Sequence, residues 1–104
     1  MERYDGKPFL RLLECYVLSA IGQLDERQHD ALRLMEPKLH SVYGLGGTWQ
    51  EVVRSQMGFP DSLPRKIYKI WEKNLATAHA NRMTVDPNEF AITFVNQNFP
   101  NIVN

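Results

Sequence analysis

Apolar residues recur along most of the chain at spacings of three and four, which is the period of an amphipathic helix. Five such stretches follow one another, and no segment alternates in the manner of a strand. The first opens at Pro8 and runs to about Gln23. Phe9, Leu10, Leu13, Tyr16, Val17, Ala20 and Leu24 share one wide arc of its wheel. Arg11, Cys15 and Gly22 lie opposite, Glu14 sits at the margin, and Leu12 and Leu18 fall outside the arc. A helix apolar on most sides belongs at the centre of a fold. Leu12 and Leu18 are then the candidates for a protein-interface contact.

The second stretch is announced by Asp25 with Gln28 three residues on, a capping-box pattern. Leu32, Met35, Leu39, Val42 and Tyr43 keep helical spacing straight through Pro37. Proline removes a backbone donor and clashes with the preceding turn, so residues 26–43 form one kinked helix or two short ones. Gly44 ends the run. The third helix has Thr48 as N-cap and Glu51 at N3, with Trp49, Val52, Val53, Gln56 and Met57 facing inward. Gly58 then supplies a left-handed cap, Phe59 folds back on the last turn, and Pro60 forbids continuation.

A fourth helix starts near Pro64 and ends near residues 80–81, with Ile67, Ile70, Trp71, Leu75 and Ala78 as its apolar stripe. The fifth has Asp86 as N-cap and Pro87 at N1. It pairs Phe90 with Phe94 and Ala91 with Val95 before Pro100 closes it. Five helices joined by short turns must bury their stripes on one another. The expectation is an all-α chain of about five helices in a compact bundle or orthogonal array. A chain of 104 residues reads as one domain, with residues 1–6 and 100–104 frayed, although Phe99 and Ile102 are placed to dock.

Composition narrows the classes. An apolar fraction of 43% is that of a globular chain and excludes a disordered one. The apolar run near the N-terminus is interrupted by Arg11 and Glu14 and is too short to span a bilayer, so no membrane role is expected. Cys15 is the one cysteine, so no internal disulfide forms. A cytoplasmic location fits that usage.

The candidate chemistry is sparse. Cys15 lies in an apolar helix, where a thiol is ordinarily inert. Glu36 and His40 stand four apart, but the repeated Glu-x-x-His of a carboxylate metal bundle is missing, and a solvated pair is the expected arrangement. Gly44, Gly46 and Gly47 precede a helix without the Lys-Ser/Thr of a phosphate loop or a strand before it. No catalytic group, cofactor or metal is therefore expected.

Charge changes the picture in one place. Twelve basic and twelve acidic residues cancel, yet residues 44–85 hold six bases against three acids, and residues from Asp86 onward hold two acids and no base. Arg65, Lys66, Lys69 and Lys73 all fall opposite the apolar stripe of the fourth helix. With Arg54 they would form a nucleic-acid-binding face on a helix-turn-helix-like hairpin over residues 48–80. The same segment resembles part of the AT-rich interaction domain in Gly46-Gly47, Trp49-x-x-Val52, Met57-Gly58-Phe59-Pro60, Trp71 and Leu75. That resemblance, over about a third of the chain, implies a DNA-binding helical fold. The pattern departs from it where only Thr48 separates the glycines from Trp49, and where the Trp-to-Gly spacing is one residue longer. A neutral chain is a poor polyanion binder overall. The leading expectation is a non-enzymatic cytoplasmic domain that binds a protein partner, a second copy of itself included. Nucleic-acid binding is the alternative.

Overall fold

The computed structural model describes residues 7–100, and the side chains of residues 9–100. Within it lie six helices and no strand: α1 (Lys7–Ala20), α2 (Glu26–Leu34), α3 (Glu36–Tyr43), α4 (Trp49–Met57), α5 (Leu63–Ala80) and α6 (Pro87–Asn98). The all-α expectation holds, with one helix more than the five counted from periodicity. The extra one comes from Pro37. It stands at the start of α3, where its missing N–H is harmless, and Met35 forms the joint between α2 and α3.

The caps explain most boundaries. Gln28 N donates to Asp25 Oδ1 at 2.7 Å and Asp25 N to Gln28 Oε1 at 3.3 Å. Phe59 N donates to Arg54 O at 2.9 Å beyond Gly58, and the Phe59 ring rests against Tyr16 and Phe99. Helix α1 stops three residues earlier than expected. Gly22 adopts φ +71°, Gly22 N donates to Ser19 O and Gln23 N to Leu18 O, which closes a Schellman cap. Ile21 and Leu24 had kept the apolar period alive past that cap. The calls on residues 1–6 and 101–104, Ile102 among them, lie outside the described residues. Phe99 does dock, with its ring against Phe59 and Phe94.

Helix α1 is the axis of the fold. Its most extensive contact is with α6, and α5 and α4 also pack on it. Phe9, Leu12, Leu13, Tyr16, Val17 and Leu18 are all buried. Leu12 and Leu18 are 4% and 1% exposed, so they are core residues and not surface contacts. The wheel places them outside one arc, but three helices pack around α1 and leave it a narrow outer strip at Arg11. Trp49, Val52 and Val53 of α4, Ile67 and Trp71 of α5, and Phe90, Ala91, Phe94 and Val95 of α6 complete the core. Helices α2 and α3 join this body mainly through α3, which packs on α4, and His29 of α2 also meets Trp49.

Three expectations fail at the margins of the core. Gln56 is exposed. Met35 and Val42 are 41% and 62% exposed, because the α2–α3 arm meets the body on one narrow side. Ile70 and Leu75 are 42% and 41% exposed. Helix α5 has 18 residues and α1 has 14, a difference of about 6 Å in length. From Glu72 to Ala80 only Ala78 is partly covered, so the distal half of α5 overruns the body.

Candidate interaction surface on helix α5

On α5 the residues that reach the body are Leu63, Pro64, Ile67, Trp71 and Ala78, within an arc of about 100° on the wheel. Arg65, Lys66, Lys69 and Lys73 point the opposite way and all four are exposed. None of them has an ion pair among the described residues. Arg54 does not join them. Its guanidinium lies 3.1 Å from Asp61 Oδ1, and it lines a cleft of about 430 Å³ with Tyr16, Ser19 and Gln50 on the α1 side. Of the expected basic face, Arg54 is thus neutralised by Asp61 and the four α5 bases are left. The expected hairpin is also altered: α4 and α5 each pack on α1 and make only marginal contact with each other. A helix-turn-helix positions its second helix by packing it on the first, and that support is weak here.

Beside the distal half of α5 runs a groove of about 360 Å³, closed on its other side by α6 and the 81–86 loop. Asn74, Thr77 and Ala78 form one wall, and Phe90 and Val85 contribute apolar surface. Asp86 and Glu89 are its charged lining residues, and both are acidic. Asp86 Oδ1 accepts from Asn88 N as the N-cap of α6, while Glu89 has no ion pair among the described residues. Met83, 66% exposed, stands at the rim. The sequence reading missed this groove. The fall from basic to acidic residues after Val85 was its only trace.

The Glu36–His40 pair is not a solvated pair. Glu36 Oε2 accepts from Trp49 N at 2.8 Å, and His40 Nε2 lies 2.6 Å from Gly47 O, which requires a proton on that nitrogen. Both reach the loop that starts α4. Thr48 and Glu51 complete the capping box there, and a Cβ on Gly47, which has φ +96°, would run into the Glu51 carboxylate. The glycine-rich loop is thus a clamped N-terminal cap. His29 meets the Trp49 ring edge-on, with centroids 6.1 Å apart. His29 Nδ1 and Trp49 Nε1 are buried there without a protein partner.

Cys15 is part of the core. Burial pushes the Cys15 thiol up from its ordinary value, with Arg11 opposing and Glu14 assisting. A thiol so held is a poor nucleophile. Among the described residues no three His, Cys, Asp or Glu side chains gather as a metal site. No described helix is long and apolar enough to cross a membrane. No family model, curated protein or solved structure matches the chain.

Proposed function

We propose that this chain is a non-enzymatic helical module that binds a protein partner through the outer part of α5, and that it does so in the cytoplasm. The observation that carries this reading is the apolar surface left on α5: Tyr68, Ile70 and Leu75 are 44%, 42% and 41% exposed. Apolar side chains on both flanks of a row of cations give one helix the mixed apolar and charged composition of a binding surface. Photo-cross-linkers placed at positions 70 and 75, with position 31 on α2 as control, test it. A defined adduct from α5 that excess purified chain competes away, and that Ile70→Glu chain does not, is the expected outcome. The absence of any adduct from α5 refutes the reading.

A second reading, nucleic-acid binding, is favoured by the four unpaired cations on α5. A phosphate binder loses affinity steeply as salt rises. Failure to bind a mixed duplex at low salt removes this reading. Binding that survives Lys66→Glu with Lys69→Glu removes the stripe as its cause.

A further inference from the structure

We propose that the partner is a second copy of this chain, docked antiparallel along α5 about a two-fold axis. The inference rests on the reading of α5 as a protein-binding surface and names its occupant. Three observations converge on it: the distribution of the bases, the position of the acids, and the place of Ile70.

The bases Arg65, Lys66 and Lys69 lie in the first half of α5, and Lys73 just past its middle. The acids Asp86 and Glu89 lie beside the second half, across the groove from Asn74, Thr77 and Ala78. Lys66 lies on the flank of α5 that turns toward the groove, so that flank carries positive charge along its first half and meets negative charge beside its second. Neither set has an ion pair that would quench it, apart from the backbone cap held by Asp86. A two-fold contact must be self-complementary, because the same patch is used by both copies. Parallel α5 helices would set base on base. Antiparallel ones set base on acid twice.

The register follows from the midpoint of the helix, between Trp71 and Glu72. That axis places Lys66 of one copy opposite Thr77 of the other, which lies on the same flank of the helix and lines the acidic groove. It also brings the two Ile70 side chains to within about 4.5 Å along the axis, three residues of helical rise. Ile70 lies on the flank of α5 that turns toward the groove, so the half-exposed side chain becomes the apolar centre of the contact. Tyr68 and Leu75 lie on the other flank and stay outside it. A helix of 18 residues is about 27 Å long, so the buried area falls at the lower end of specific interfaces. The dimer is therefore weak and salt-sensitive.

Sedimentation equilibrium with charge-swapped chains tests this. At about 50 mM salt, where screening is modest, the mass of the unaltered chain should climb from 12.1 kDa toward twice that value and go no further. Lys66→Glu with Lys69→Glu cancels the charge of the stripe, since two acids then stand against Arg65 and Lys73, and that chain should be monomeric. Glu89→Lys cancels the charge of the groove against Asp86, and it too should be monomeric. Mixed one to one, the two variants restore one contact of intact stripe on intact groove and place the two introduced acids against the introduced base at the other, and the dimer should return. Circular dichroism confirms that each variant is helical. An unaltered chain that stays monomeric at concentrations near ~1 mM, weaker than any working interface, overturns the proposal. So does a mixture that fails to associate, or a mass that rises beyond the dimer. A monomer that still forms a foreign-mass adduct from position 70 or 75 keeps the protein-binding reading and loses only the second copy. Loss of every adduct defeats both.

Discussion

Leu18 is the residue on which the sequence and the structure disagree most sharply, and its truncation measures who is right. At 1% exposure it lies on α1 among side chains of the surrounding helices, and its carbonyl accepts the Gln23 N–H that ends the helix. Leu18→Ala keeps the cap and removes side-chain atoms from a packed interior. The loss of transfer energy and the cavity left behind together cost about 3 kcal/mol, within the range of buried Leu→Ala changes. A domain of this length has about 5–15 kcal/mol in total, so the variant should still fold. Urea titration followed by tryptophan fluorescence is the assay, since Trp49 and Trp71 are both buried and report the core directly. With an m-value of about 1–1.5 kcal/mol/M, the midpoint should fall by about 2–3 M at unchanged slope. A cost below about 0.5 kcal/mol is what a surface position gives. That result, joined to a change in solution mass, would refute the burial argument and restore Leu18 to an interface. Leu18→Glu cannot make this distinction, because an unpaired carboxylate in the core unfolds the chain whichever reading is correct.

Other expectations follow from single residues. Arg82 ends α5 in the left-handed conformation at φ +57°, a position that strains any side chain with a Cβ. Arg82→Gly should raise stability by about 0.5–1 kcal/mol after the added chain entropy of glycine is subtracted, read from thermal unfolding. Glu36→Ala should remove the acceptor for Trp49 N–H and cost about 1 kcal/mol, visible as faster hydrogen exchange at that amide; unchanged exchange would show that the clamp on α4 is idle. Burial raises the Cys15 thiol from 9.0 and the Tyr16 phenol from 10.0. Both are neutral acids with raised folded values, so their contribution is full below pH 9 and drains away as pH climbs through the raised values. Stability should fall in the alkaline range, and Cys15→Ala should flatten the first part of that fall.

Much of the architecture could be read from local signals, because those signals act over three to five residues. Thr48 with Glu51, Asp25 with Gln28, and Gly58 with Phe59 each fix a helix end without help from the rest of the chain. What could not be read depends on where helices end relative to one another. Nothing near Leu75 reveals that α5 overruns α1, and nothing near Ile70 reveals that its flank of α5 is left uncovered, so their exposure was hidden. The apolar character of α1 on most sides placed it at the centre of the fold, but nothing near Leu18 reveals which helices cover that side. The groove is the same case: Asp86 and Glu89 face Asn74 and Thr77 only after α5 and α6 have folded back on each other. The contact of Glu36 with Trp49 crosses thirteen residues and carries no periodic trace.

The central place of α1 also bears on how the molecule is made. Its main partner, α6, begins 67 residues after Ala20, counted from 20 to 87. A ribosome adding about 5–20 residues per second needs on the order of 3–15 s to synthesise that stretch, and longer to clear it from the exit tunnel. Through that interval a helix apolar on nearly every side has emerged with its largest partner still unborn. Vectorial synthesis therefore leaves α1 as the vulnerable part of the nascent chain. Holding factors that bind exposed apolar segments should meet this protein there first, and release it only once α6 has arrived.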